Sequence, residues 1–168
     1  MVSRYRGPLR AYQVADSRYP LFDGSGAAEF GSRWNSPGRR VVYGALSYAG
    51  ALLERLTQTG IGKAPRRQYW ITIDVSASVE IEEITSVDVP GWDAPDLTAS
   101  RAYGDLWVAE RRSVALIVPS VVGRPHERNL MINQDHPEFR HVTHSDLHQV
   151  LWDPQVGSAE WIESEGLE

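Results

Sequence analysis

GSGAAEFGSRWNSPGRRVVYGALSYAGALLE, residues 24–54, decides how this chain folds. Its glycines Gly24, Gly26, Gly31 and Gly38 allow positive φ or a close backbone approach to a ligand, so the loop is shaped rather than slack. Arg33 lies between Ser32 and Trp34. Its planar guanidinium offers paired donors that match phosphate or carboxylate oxygens and stays charged at any working pH, which makes an anion its natural ligand. The alternative is a structural arginine that pairs with an acid and stacks on Trp34. Beyond the basic turn Pro37-Gly38-Arg39-Arg40, Val41-Val42-Tyr43 is β-branched and aromatic and predicts a short strand. A helix is expected next. Ser47 suits its N-cap, and Ala49, Leu52, Leu53 and Leu56 have the i, i+3, i+4, i+7 spacing of a buried stripe. Glu54 falls roughly 200° round from Leu52, on a side shared with Ser47, Gly50 and Ala51. Those small neighbours leave room for a ligand to reach the acid.

Composition narrows the class. With 168 residues and 42% hydrophobic content, the chain can bury one good core, so one domain is expected over residues 1–168. It has no cysteine, which excludes disulfides and zinc–thiolate sites. Its first residues lack an apolar signal core, and no stretch approaches the roughly 20 apolar residues that span a bilayer. A cytoplasmic protein without a membrane partner is the expectation. The net charge of −5 argues against direct nucleic-acid binding, which needs a basic surface. Arg39-Arg40 and Arg66-Arg67 are local basic spots suited to an acidic protein or a dinucleotide.

Taken in order, residues 1–9 read as an N-terminal arm, and Tyr12 to Ala15 as the first strand. Tyr69 to Val75 is the clearest strand and should be central; Val79 to Ile84 is another, whose Glu80, Glu82 and Glu83 mark an exposed face or an edge. A helix is expected over Asp96 to Arg111, with Gly104 marking a break or a close contact and Trp107 filling core. Val114 to Val118 reads as a strand buried on both faces. Ser120 follows it, placed as a strand-end ligand contact rather than a nucleophile. Asn129 to Asn133 predicts a further strand, its asparagines capping turns or reaching a ligand. His141, His144 and His148 would align on a helix, yet no acid falls in a known ligand spacing, so no metal is expected. The acidic tail, residues 154–168, reads as a short surface helix around Trp161 and Ile162 or a frayed end.

The ordered motifs PLFDGSGAAEFGSRWNSPGRRVVY, the helix with Glu54, YGDLWVAERRSVALIVPS and ERNLMINQDHPEF resemble the RES-domain toxins of bacterial toxin–antitoxin systems. The Arg, Glu and Ser of the family name fall on Arg33, Glu54 and Ser120, and the likeness runs from Ala11 to Asp153. The resemblance implies a single α+β domain of ADP-ribosyltransferase type, with two small mixed or antiparallel sheets flanked by helices. It implies binding of NAD and cleavage of its nicotinamide–ribose bond, with ADP-ribose passed to water, phosphate or a protein. Arg33 and the glycine loop would hold the pyrophosphate, and Trp34, Tyr43 and Asn129 would contact the dinucleotide. Glu54 would stabilise the charged ribose, while Ser120 would fix the ribose or the amide. A cognate antitoxin, small, helical and DNA-binding, is implied as partner. Gly104, Asp105 and Trp107 would pack near the site. Relatives usually carry arginine where this chain has Gln13 and Gln155, and a second glycine where it has Ser32. These departures keep open a non-catalytic anion-binding module; a metal-dependent hydrolase is the third reading.

Overall fold

The computed structural model describes residues 1–59 and 65–156. Its strands are β1 (Ser3–Arg6), β2 (Leu9–Asp16), β3 (Val41–Ala45), β4 (Gln68–Val75), β5 (Glu80–Glu83), β6 (Ala115–Pro119), β7 (Arg128–Asn133), β8 (Val142–His144) and β9 (His148–Gln149). The helices are α1 (Ser25–Phe30), α2 (Tyr48–Thr59) and α3 (Thr98–Glu110), with short helical turns at Pro137–His141 and Pro154–Val156. None of the described helices is long and apolar enough to cross a membrane. Every run read as a strand from its β-branched and aromatic residues is one, with ends shifted by a residue or a few.

The strands form one mixed sheet in the order β1-β5-β6-β7-β3-β2-β4-β8, with β9 also on β4. Only β5 and β6 run parallel. β2 matches β4 along its whole length, Leu9↔Val75 to Asp16↔Gln68. Against β3 it makes a single register pair, Tyr12↔Ala45. The two small sheets expected are therefore two halves of one sheet, joined at one point, and the gap beyond that point is where the site opens.

Side chains alternate across the pleat and fill a core on each face. Ala115 and Ile117 of β6 pack with Ala11, Ile71, Ile73 and Ile132. Leu116 and Val118, one residue out of phase, pack with Trp34, Trp92, Trp107 and Met131. As expected of a continuous apolar run, β6 is buried on both sides.

Four expectations are corrected. The N-terminal arm is not free: Ser3–Arg6 is the edge strand, paired along β5. β5 is thus covered, and Glu82 is buried between Arg4 and Arg112. The histidines share no helix, since His141 ends a helical turn while His144 and His148 lie on separate strands. In α2 the buried residues are Gly50 and Ala51, whereas Ala49 and Leu53 are exposed. The helix turns its small side, not its leucine stripe, to the sheet, because only small groups let it approach β2 and β3 closely. The tail beyond Val156, with the helix expected around Trp161 and Ile162, lies outside the described residues.

Candidate functional site

The gap between β2 and β3 opens into a cavity of about 300 Å³, at the lower end of the roughly 300–1,000 Å³ typical of ligand pockets. Its walls come from β2 (Tyr12 to Ala15), the Ser32-Arg33-Trp34 loop, Tyr43 on β3, and Ala51, Glu54, Arg55 and Gln58 on α2. Asn129 at the start of β7 closes one end.

Glu54 reaches this wall because α2 begins where it does. Ser47 caps the helix, its Oγ accepting the Gly50 N–H at 2.9 Å, and its hydroxyl donates to Glu127 Oε2 at 2.6 Å. From that start, Gly50, Ala51 and Glu54 fall on the sheet-facing side. The carboxylate is then fixed by two neutral donors. Ser120 Oγ donates to Oε1 at 2.8 Å, and Asn129 Nδ2 donates to the same oxygen at 2.7 Å. No donor among the described residues holds Oε2, so one carboxylate oxygen is anchored and the other is available.

Ser120 itself is buried and does not line the cavity. Its oxygen also accepts the Gly123 N–H at 3.1 Å. The hydroxyl is committed to protein on both counts, standing behind Glu54 rather than facing a ligand.

Arg33 lines the same cavity. Its NH1 donates to the backbone carbonyls of Trp92 at 3.1 Å and Ala94 at 3.3 Å, and no carboxylate among the described residues pairs with it. Its Nε and NH2 have no acceptor among the described residues. Trp34 does not stack on it; that ring is buried in the core, parallel to Trp92 with centroids 5.9 Å apart.

The loop carrying Arg33 is clamped by α3, whose Gly104 and Asp105 were expected near the site and whose Ser100 and Arg101 were not. Ser100 Oγ donates to Arg33 O at 2.7 Å, Arg101 Nε donates to Ser32 O at 2.9 Å, and the Ser36 N–H donates to Asp105 Oδ1 at 2.9 Å. A Cβ on Gly104 would lie 1.7 Å from the Trp34 carbonyl oxygen, so this glycine marks a close contact and not a break. Trp107, fully buried, fills core and donates to Ser113 Oγ at 2.9 Å. From inside the loop, the buried Asn35 donates to Ala27 O at 2.9 Å and accepts the Tyr43 hydroxyl at 2.6 Å. Burial pushes the Tyr43 phenol well above its ordinary range, so it stays neutral and its ring is held against the cavity wall. Gln13 is likewise engaged, its Oε1 accepting the Phe22 N–H at 2.8 Å.

Arg33, Glu54, Tyr43 and Asn129 thus come together, and Ser120 is one hydrogen bond behind them. No group of three or more potential metal-ligating side chains lies together among the described residues.

The RES-domain family model matches residues 8–153, nearly the whole chain. The chain belongs to the RES-domain family. Among its relatives, a protein of Sphingobium sp. named "Prs ADP-ribosylating toxin" is 35% identical over 151 residues, covering 88% of this chain and 90% of that one. A protein of Pseudomonas putida named "Toxin Res" is 32% identical, covering 73% and 83%. The toxin–antitoxin complex MbcT–MbcA of M. tuberculosis contains a chain of the same fold, with a TM-score of 0.67 at 17% identity, covering 95% of this chain and 90% of that one. The single α+β domain expected for a RES protein is the one observed, its two sheets merged into one.

Proposed function

We propose that this RES domain is the toxin of a toxin–antitoxin pair, acts in the cytoplasm, and binds NAD to break its nicotinamide–ribose bond. The observation that carries this reading is a carboxylate anchored by neutral donors in a cavity that also presents an arginine without an acid partner. Arg33 holds the diphosphate through Nε and NH2, and the enclosed part of the cavity takes the nicotinamide ribose.

In the step itself, the bond between ribose C1′ and the nicotinamide nitrogen breaks, and its electron pair leaves with neutral nicotinamide. The ribose becomes oxocarbenium-like, and an acceptor oxygen bonds to C1′ and gives up its proton. A fixed carboxylate beside the developing cation stabilises it most where water is excluded, which is the role of Glu54. Ser120 and Asn129 hold Glu54 in place, while Tyr43 shapes the nicotinamide side and Trp34, packed in the core, supports the wall behind it. No metal is needed for this chemistry.

A relative named as ADP-ribosylating supports transfer of ADP-ribose to an acceptor, which is water, phosphate or a protein group. A neighbour solved as a toxin–antitoxin complex supports an antitoxin partner, expected to be small, helical and DNA-binding. Mass spectrometry of NAD incubated with the protein, with and without phosphate or cell lysate, tests the reading. Nicotinamide release accompanied by ADP-ribose, its phosphate ester or a modified protein is expected. Equal nicotinamide release by wild type and Glu54→Ala overturns the role of Glu54.

A further inference from the structure

A second guanidinium lines the cavity. Arg55, next to Glu54 on α2, is half-buried there. Its Nε donates to Gln68 Oε1 at 2.6 Å and its NH1 to Gln58 Oε1 at 3.1 Å. Gln68 is itself buried and held by the Arg66 carbonyl, to which its Nε2 donates at 2.7 Å. These amides orient the guanidinium without neutralising it.

An acid stands close by and does not serve. Asp16 is gripped by Arg18, whose Nε and NH2 donate to its two oxygens at 2.9 and 2.8 Å, so its pull on Arg55 is shared. Burial lowers the Arg55 pKa, yet a guanidinium remains protonated at any working pH. A partly desolvated charge with neutral partners is costly unless a ligand supplies the missing counterion. Arg33 is in the same condition within the same cavity.

We propose that Arg55 is the second anion-binding side chain of this cavity, so that Arg33 and Arg55 together select a substrate bearing a diphosphate. The assignment rests on the NAD-cleaving reading and deepens it. Arg55 takes the diphosphate from the α2 side as Arg33 takes it from the loop, and its neutral amide partners keep it aimed before the ligand arrives.

Calorimetric titration of the Glu54→Gln protein, chosen to suppress turnover, with ADP-ribose and with inorganic pyrophosphate tests this. Adding Arg55→Gln is expected to weaken both ligands about 10- to 100-fold. Nicotinamide riboside, which lacks phosphate, is expected to bind both proteins alike. Unchanged affinity for ADP-ribose and pyrophosphate in a cooperatively folded Arg55→Gln protein overturns the assignment and leaves NAD cleavage standing. Pyrophosphate binding that depends on Arg55, without ADP-ribose binding and with no NAD consumed by the protein that retains Glu54, upholds the anion site and overturns the cleavage reading. If Arg55→Gln does not fold, Arg55→Ala and Arg55→Lys carry the same comparison. The lysine is expected to keep part of the affinity, since it retains the charge but not the fork.

Discussion

Glu54 and Glu82 are both acids held by side-chain donors within one domain, and they are held in opposite ways. Glu82 lies between two guanidiniums, Arg4 NH2 at 3.1 Å and Arg112 Nε at 3.6 Å, and Arg112 in turn lies 4.9 Å above the Tyr103 ring. Its charge is neutralised where it stands. Glu54 is held only by a hydroxyl and an amide, while the arginines of its cavity are held only by carbonyls and amides. Around β5 the protein completes its own ion pairs; around the cavity it orients charges and leaves them unpaired. Compensated charge holds the fold together, and oriented but uncompensated charge is what the proposed reading assigns to a ligand.

The strongest way to break this comparison is to neutralise each acid in turn. Glu54→Gln is expected to lower the rate of nicotinamide release about 10²- to 10³-fold, the scale of losing a preorganised electrostatic group, with thermal stability little changed. Glu82→Gln takes away the buried acid between Arg4 and Arg112, leaving Arg112 only the exposed Glu110 at 3.8 Å, and is expected to cost about 3 kcal/mol, lowering Tm by roughly 6–12 °C. Its rate per folded molecule stays that of wild type. Calorimetric melting and initial rates on the two variants check both halves, and a large rate loss in Glu82→Gln contradicts the distinction.

A smaller effect is expected at Ser120. Removing its hydroxyl takes one of two donors from Glu54 Oε1, so Ser120→Ala should lower kcat about tenfold with KM nearly unchanged. A rise in KM alone would instead mean that the hydroxyl touches the substrate.

The smallest effect concerns Asp16. Hydrogen bonds from Arg18 hold its carboxyl below the usual carboxylate range. A group with a lowered folded pKa contributes stability that is complete above about pH 4 and is lost as pH falls through the folded value. Arg18→Ala should remove that acid-dependent component from a series of melts between pH 6 and 2. It also frees Asp16 to turn to Arg55, which should weaken ADP-ribose binding a few-fold.

Much of this was legible in the residues. Val114 to Val118 and Tyr69 to Val75 announce themselves because buried strands need unbroken apolar or β-branched runs, and cooperative pairing does the rest. Residue types left Arg33 and Glu54 open to structural readings; it was the resemblance to the RES family that singled them out, and the fold brings both to one cavity. The orientation of α2 was not legible, since periodicity takes large apolar residues as the buried face, and here Gly50 and Ala51 are buried instead. The resemblance brought Gly104, Asp105 and Trp107 of α3 near the site, but not Ser100, which meets a carbonyl 67 positions away in sequence where no local pattern registers the contact. Glu82 was misread for a related reason: its cation partners come from β1 and from the end of α3, both distant in sequence.

The one-rung junction of β2 and β3 has a consequence for how this pocket can change. Past Tyr12 and Ala45 the strands part, and a Cβ on Gly44 would already press the Tyr12 carbonyl at 3.2 Å. The throat is therefore gauged by main chain, whose spacing the flanking ladders hold from both sides. Substitutions can repaint its walls and alter what is grasped, but a wider mouth requires shifting half the sheet.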